Sequence, residues 1–191
     1  MKYKSIFKLC LLTTFLSVAT ISCDDWTEME IHDSQVNGFK EQNPQEYAVY
    51  TQNLRAYKAT KHAVVYARLD NAPEVSIGEK DFLRALPDSI DIVTMRNADR
   101  LSEYDREDMK LVREDYGTKV LYYIDCTAKD KLNTSITSAV EAVRAGTFDG
   151  IALGSEGSAV DVSALKPLLD ALGQTPCLLV FDCLLYTSPS P

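Results

Sequence analysis

The feature that most constrains the fold of this chain is a regular alternation of strand-like and helix-like segments between residues 61 and 182. Short apolar runs alternate with longer stretches that have helical periodicity. The strand-like runs are 63–68, 90–95, 119–124, 148–153 and 177–181, and the helix-like stretches are 79–86, 102–116, 129–144 and 163–172. Repeated strand–helix units predict an α/β fold in which helices cover a parallel sheet.

Two architectures share this pattern, an open doubly wound sheet and a (β/α)8 TIM barrel. No GxGxxG or P-loop sequence follows the first strand, so the nucleotide-binding form of the open sheet has no support. A complete barrel typically needs about 250 residues, whereas the five strands here occupy roughly 120. The spacing therefore favours a TIM barrel truncated after about the fifth strand, with residues 43–182 as its amino-terminal part.

A helix precedes the alternating region. Asn43 is a suitable amino-terminal cap, Pro44 suits the first turn, and Glu46 lies three residues after the cap. One face of this helix carries a stripe of large side chains, Tyr47, Tyr50, Leu54 and Tyr57. We expect the stripe to pack on the body of the domain, with sugar binding as the alternative.

The amino terminus has the pattern of an export signal. Three lysines within the first eight residues precede an apolar run, 9–21, which is shorter than the ~20 residues that span a bilayer. The run ends in Thr20-Ile21-Ser22-Cys23, which resembles the lipobox of bacterial lipoproteins, with Thr20 where leucine is more common. This resemblance implies a signal peptide over 1–22, a lipid on Cys23 and a tether over 23–42; a plain secretory signal is the alternative.

The two residues after the cysteine, Asp24 and Asp25, are acidic. They resemble the export tag of surface-displayed lipoproteins in some Gram-negative bacteria. The resemblance implies an outer-membrane location with lipid anchoring at Cys23 and exposure at the cell surface.

Composition excludes several classes of function. Removal of residues 1–22 takes away three lysines and no acid, which changes the net charge from −8 to −11, and so acidic a chain repels nucleic acid. The only histidines are His32 and His62, and neither has a partner at metal-ligand spacing. No CxxC pair is present. We therefore expect no metal, no cofactor and no disulfide framework.

The last nine residues, 183–191, read CLLYTSPSP. This string matches the in-frame translation of a transposon-type sequencing adapter, and a genuine tail rich in proline and serine is the alternative. The match predicts a non-native tail after Asp182 and a gene that continues beyond it.

The fourth strand carries the motif with the most chemical content. Asp149 and Gly150 begin it, and Glu156 follows seven residues after the aspartate. This resembles glycoside hydrolase family 18, which includes chitinases and endo-β-N-acetylglucosaminidases, and whose motif is Asp-Gly-x-Asp-x-Asp-x-Glu. In that family the glutamate protonates the glycosidic oxygen, and the aspartate two residues before it orients the 2-acetamido group that attacks the anomeric carbon. The resemblance implies that Glu156 is the candidate acid.

This sequence departs from the family motif at both inner aspartates, where Ala152 and Gly154 stand. Because alternate strand residues share a face, the lumen side of this strand reads Gly, Ala, Gly, Glu. The third strand departs as well, since Tyr123-Ile124-Asp125-Cys126 replaces the usual Ser-x-Gly-Gly turn. A decayed motif behind a lipid anchor resembles surface lipoproteins encoded with glycan-uptake systems.

Polar residues at the ends of the strands are the predicted glycan contacts. Those expected to bind substrate are Tyr66, Asp70, Asn71, Arg96, Asn97 and Asp125. Arg68 and Asp182 also lie at strand ends, and Tyr123 is a second candidate for stacking on a sugar. Each also has an ordinary interpretation as a loop or strand residue.

These observations lead to three hypotheses. The first is a surface lipoprotein that binds N-acetylglucosamine-containing glycans with weak or no catalysis, in partnership with a glycan-uptake complex. The second is an active endo-β-N-acetylglucosaminidase or chitinase that uses Glu156 as general acid, with Asp125 or Asp182 replacing the side chain lost at Gly154. The third is a barrel that serves only as a scaffold for protein contacts.

Overall fold

The computed structural model describes residues 38–71, 78–156, 162–173 and 175–184. The predicted signal peptide, the lipidation site Cys23, most of the tether and residues 185–191 of the predicted tail lie outside these ranges. The chain divides into two units, 1–42 and 43–191. In the first, a short helix, α1 (Phe39–Gln42), begins after Gly38, whose carbonyl accepts the N–H groups of Glu41 and Gln42.

The second unit contains the alternating segments in their predicted order. Its helices and strands are α2 (Pro44–Lys58), β1 (Tyr66–Leu69), β2 (Ile92–Met95), α3 (Glu103–Glu114), β3 (Lys119–Asp125), α4 (Lys129–Arg144), β4 (Gly150–Glu156), α5 (Lys166–Leu172) and β5 (Leu178–Leu184). All five predicted strands are therefore confirmed in position. The last strand includes Cys183 and Leu184, two residues assigned above to the tail, which pair with Ser155 and Glu156.

The order of the strands decides between the two candidate architectures. Each strand pairs in parallel with the next one along the chain, giving the order β1-β2-β3-β4-β5. A doubly wound sheet reverses its order at a switch point, whereas a barrel adds its strands sequentially around an axis. The sequential order is that of a barrel.

The sheet is strongly curled. Four strand spacings of about 4.8 Å would hold β1 and β5 roughly 19 Å apart in a flat sheet. Instead, the Tyr66 hydroxyl on β1 lies 2.9 Å from the Asp182 carboxylate on β5. The five strands thus form a parallel half barrel, which confirms the predicted fold class, an α/β fold consistent with a truncated TIM barrel.

Alternate residues of the strands face two different environments. One face contributes Val93, Met95, Val120, Ile124 and Ile151 to a large core under the helices, and all of these are at most 2% exposed. The opposite face forms a second, smaller cluster in the lumen, made of Tyr66, Ile92, Leu121, Tyr123, Ala152 and Val180. The lumen core is small, so polar side chains at the mouth lie directly above it.

The predicted stripe on α2 faces the domain, but its side chains are buried to different extents. Tyr47 and Leu54 are half-buried as expected, but Tyr50 and Tyr57 are 42% and 53% exposed. Thr51, only 4% exposed, is the most buried residue of the helix. Tyr50 and Tyr57 nevertheless contact the domain, since the Tyr50 hydroxyl donates to the Asp88 carboxylate and the Tyr57 ring lies 4.7 Å from the ring of His62.

Hydrogen bonds from the basic side chains of α2 hold the helix against the domain. The Lys58 ammonium donates to the carbonyls of Asp88 and Ile90 at 2.7 and 2.6 Å and to the Thr118 hydroxyl at 3.0 Å. Arg55 donates to the Asp115 carbonyl at 2.6 Å, at the end of α3. These acceptors precede β2 and β3, so α2 covers the amino ends of the strands. Desolvation of its ammonium lowers the pKa of Lys58.

The predicted helix over residues 79–86 was wrong. Two 3-10 turns, Glu79–Asp81 and Leu83–Ala85, stand there, separated by Phe82 in an extended conformation. The N–H of Arg84 donates to the Asp108 carboxylate at 3.1 Å instead of to a carbonyl four residues earlier. This bond from a neighbouring helix replaces one that an α-helix would need.

A histidine–aspartate pair lies before the start of β2. His62 Nε2 is 2.9 Å from Asp91 Oδ1, and the other Asp91 oxygen accepts the Val65 N–H at 2.7 Å. The bonds to Asp91 and to the Thr60 carbonyl raise the pKa of His62 above its ordinary 6.5. Desolvation acts to raise the pKa of Asp91, but the bonds from Val65 and His62 outweigh it and lower that pKa below 3.8.

The pair should make stability depend on pH in a defined window. Its contribution is fully present between pH 3.8 and 6.5, is lost as pH rises through the raised pKa of His62, and is lost as pH falls through the lowered pKa of Asp91. The test is the difference in Tm between the wild type and His62→Gln from pH 5 to 9. We expect this difference to shrink at alkaline pH, and a difference independent of pH would contradict the assignment.

Candidate functional site

The carboxyl ends of the strands form the mouth of the half barrel, where parallel α/β barrels place their chemistry. Gly154 on β4 is in register with Asp125 on β3 and with Asp182 on β5. The row across the mouth therefore reads Asp125, Gly154, Asp182, with no side chain at its centre. Glu156, the candidate acid, ends β4 two residues further on, in register with Leu184.

A hydrogen-bonded group crosses the lumen from β1 to β5. The Tyr66 hydroxyl lies 2.8 Å from Thr94 Oγ1 and 2.9 Å from Asp182 Oδ2. Arg68 Nε is 3.1 Å from the same carboxylate oxygen. Desolvation, together with the bond to Asp182, raises the pKa of Tyr66 to about 12, so the phenol keeps its proton at neutral pH. Tyr66 thus donates its proton to Asp182 and links β1 to β5 across the lumen.

Two arginines flank the ring of Tyr123 in the lumen. The guanidinium carbon of Arg68 lies 5.8 Å from the ring centroid and that of Arg96 lies 5.6 Å from it, both within cation–π range. Tyr123 itself is only 8% exposed. Its ring is therefore part of the floor of the lumen, and the prediction of Tyr123 as an open stacking surface does not fit its burial. Arg96, by contrast, is exposed at the mouth.

The two aspartates that flank Gly154 are both engaged with the protein. Asp125 Oδ1 accepts the Thr127 N–H at 2.8 Å and the Thr127 hydroxyl at 2.6 Å, which fixes the turn after β3. Asp182 pairs with Arg68 and accepts the Tyr66 hydroxyl. Asp182 is therefore ion-paired with Arg68, and Asp125 stabilises the turn at Thr127.

The predicted contacts that follow β1 and β2 are hydrogen-bonded to one another. The Asn71 side chain is fully buried; its oxygen accepts the Asn97 N–H at 2.9 Å, and its amide lies 3.4 Å from the Asn97 carbonyl. The Asn97 amide donates in return to the Asn71 carbonyl and lies 3.3 Å from Asp70 Oδ1. Asn71 therefore holds the two loops together. Asp70 is exposed to solvent, and Asn97 is half-buried.

The first motif residues lie at the other end of the strand. Asp149, at the amino end of β4, accepts the Val120 N–H at 2.9 Å and pairs with Arg113 at 3.0 Å. The following Gly150 allows close approach of β5, because a Cβ there would lie 2.1 Å from the Leu178 carbonyl oxygen. Asp149 and Gly150 thus shape the sheet, whereas Gly154 and Glu156 belong to the mouth.

Three residues of the lumen group were absent from the predicted contacts. Thr94 was not predicted, Arg68 was noted only as a residue at a strand end, and Asp182 was named at a strand end and as a possible replacement for the side chain lost at Gly154, but not as a substrate contact. The signal that identifies them is alternation, because Arg68 and Thr94 are in register and share the lumen face with Tyr66 and Ile92. Asp182 joins this group because the curl of the sheet brings β5 close to β1.

Within the described ranges, no group of three histidine, cysteine, aspartate or glutamate residues is placed to hold a metal ion. Nor does any helix in the described part of the chain have the length and apolar character needed to cross a bilayer.

Comparison with known proteins places these features in a family. A family model described as glycoside hydrolase family 18, BT1044-like, matches residues 27–149, a span that ends before Glu156. No curated protein matches the chain.

Two solved structures are similar in fold. Selenomethionine BT1044 with a glutamate-to-glutamine substitution gives a TM-score of 0.54 at 16% identity, over 74% of this chain and 57% of that one. Endo-β-N-acetylglucosaminidase from Cordyceps militaris, in apo form, gives 0.50 at 19% identity, over 71% and 54%. This chain thus spans a little over half the length of each. Because the family model covers more than half of the sequence, the chain belongs to glycoside hydrolase family 18, in its BT1044-like group.

Proposed function

We propose that this protein binds N-acetylglucosamine-containing glycans at the mouth of the half barrel, with weak or no hydrolysis. The observation that carries the proposal is the row Asp125, Gly154, Asp182. Its centre has no side chain, where the family motif has the aspartate that orients the acetamido group. Without a carboxylate there, the positive charge that develops on the substrate in this mechanism lacks its nearest stabilising group.

The lumen supports binding better than it supports turnover. Tyr66, Arg68 and Asp182 form a hydrogen-bonded group, and Arg96, whose guanidinium lies over the Tyr123 ring, adds an exposed donor at the mouth. Planar and hydroxyl donors of this kind suit the hydroxyl and amide groups of amino sugars. Neither aspartate beside Gly154 replaces the missing one freely, since Arg68 pairs with Asp182 and Thr127 binds Asp125.

Isothermal titration calorimetry on the full-length gene product tests the proposal with chitooligosaccharides and N-glycans as ligands. We expect binding to at least one class, and about tenfold weaker binding for Arg96→Gln. The matched control is Arg106→Gln, an exposed arginine on α3 that should bind like the wild type. If neither chitooligosaccharides nor N-glycans give a heat of binding, the proposal is refuted.

The alternative is an active hydrolase with Glu156 as general acid. It is favoured by the position of Glu156 at the carboxyl end of β4 and by the fold shared with an endo-β-N-acetylglucosaminidase. Turnover of an N-acetylglucosaminide by the wild type, abolished in Glu156→Gln, would establish this alternative. Turnover that survives the substitution would exclude Glu156 as the acid.

We further propose that Cys23 carries a lipid that anchors the protein to the outer membrane, facing outward and working with a glycan-uptake complex. The support is the lipobox-like sequence ending at Cys23 and the acidic pair after it. Metabolic labelling with a fatty-acid analogue tests the anchor. The label should appear on the wild type and be absent from Cys23→Ala, and an unlabelled wild type would refute it.

A further inference from the structure

A side chain continues the pairing of β1 and β2 beyond the ends of the two strands. Just after β2, the Arg96 N–H donates to the Leu69 carbonyl oxygen at 3.0 Å. One residue further on, the Asn97 N–H donates to the side-chain oxygen of Asn71 at 2.9 Å. The Asn71 side chain thus replaces a backbone carbonyl, and Arg96 lies between two hydrogen bonds that tie its segment to β1.

Further hydrogen bonds join the same two loops to the start of α3. The Asn71 amide lies 3.4 Å from the Asn97 carbonyl oxygen and 3.5 Å from a carboxylate oxygen of Asp105. The Asn97 amide donates in return to the Asn71 carbonyl and lies 3.3 Å from the Asp70 carboxylate. Because Asn71 is fully buried and Asp105 is 4% exposed, water does not compete for the bonds that these two side chains make.

We infer that Asn71 is a positioning residue of the glycan site, which touches no ligand itself but holds Arg96 and Asp70 in place at the mouth. The inference deepens the proposed function and rests on it for the identity of the ligand. Arg96 and Asp70 are both exposed, and each is adjacent in sequence to one of the two bonded asparagines. Ordering a loop when a ligand binds costs free energy, and a loop that is already fixed avoids this cost.

The first test needs no ligand. Backbone order parameters from NMR relaxation of the full-length gene product should fall at Arg96 and Asn97 in Asn71→Ala, from about 0.85 to below about 0.7. The order parameter of Val120, whose N–H is bound at the other end of the sheet, should not change. Lower stability alone does not move these values, because they report fast motion in the folded state. Unchanged order at Arg96 and Asn97 would overturn the inference.

The second test is an affinity cycle, measured by calorimetry with the glycan that the wild type binds. Arg96→Gln should weaken binding about tenfold in the wild type but less than about threefold in the Asn71→Ala background, where Arg96 is no longer held. Asn133→Ala, at an exposed asparagine on α4, is the matched control background and should preserve the full effect. Equal effects in all backgrounds would mean that Asn71 has only a structural role.

If Asn71→Ala does not fold, Asn97→Ala takes its place in both tests. Asn97 is half-buried, and its amide makes the return bond to the Asn71 carbonyl. This variant should change the order at Arg96 and the effect of Arg96→Gln in the same direction, and no change in either would overturn the inference.

The inference and the proposed function fail in different ways. A wild type that binds neither chitooligosaccharides nor N-glycans would overturn the proposed function and, with it, the role of Arg96 toward a ligand. The order parameters would still decide whether Asn71 fixes this part of the mouth.

Discussion

An alanine at position 150 is expected to lower the free energy of unfolding by about 3 kcal/mol or more, the upper range for overpacked cores. The added Cβ would lie 2.1 Å from the Leu178 carbonyl oxygen and 2.7 Å from the carbonyl carbon and the nitrogen of the same residue. All three atoms are backbone, so no side chain is able to turn aside. The first pair of the β4–β5 ladder, Gly150 with Leu178, would have to separate.

Denaturant unfolding of the full-length gene product, followed by circular dichroism, measures this effect. Gly78→Ala is the control, since it adds the same methyl group at a position where no atom lies within 4 Å of the new Cβ. If both variants unfold at the same denaturant concentration, the close approach of β4 and β5 at this point would be disproved.

The second large effect is expected for Asp149→Ala, which should cost about 2–3 kcal/mol. The carboxylate, 15% exposed, accepts the Val120 N–H at 2.9 Å, pairs with Arg113 at 3.0 Å and lies 3.7 Å from Lys119. Its removal leaves a buried backbone donor and two cations without that partner. Because all of these groups lie at the amino ends of the strands, glycan affinity should not change.

Asp170→Ala is the matched control, since it removes an exposed aspartate from α5 and changes the net charge equally. An Asp149→Ala protein as stable as this control would mean that the ion pair contributes nothing. Loss of glycan affinity with stability intact would instead assign Asp149 a role at the mouth.

Local pattern was enough to predict the architecture. The runs at 90–95 and 119–124 are short, largely apolar and rich in branched side chains, and these properties are local. The predicted helix over 129–144 coincides with α4 for the same reason. The turn after Phe82 was missed because its decisive bond comes from Asp108, 24 positions away, a partner that no local window contains.

The candidate site was predictable only in part. Gly154 and Glu156 stand out in the sequence because a known motif surrounds them. The Tyr66–Asp182 bond joins residues 116 positions apart, and it depends on how tightly the sheet curls. Asn71 looked like a ligand contact because it follows a strand, but burial turned its amide toward Asn97. Strand-end position thus identifies candidates, while side-chain direction decides which of them face the lumen.

The placement of α2 has a mechanical consequence. Any tension on the chain before Asn43 enters the domain through this helix, whose bonds from Lys58 and Arg55 all end near the starts of β2 and β3. The load would pass into the end of the sheet opposite Gly154 and Glu156. Pulling on the leading segment would therefore strain the amino ends of β2 and β3 before it strained the mouth.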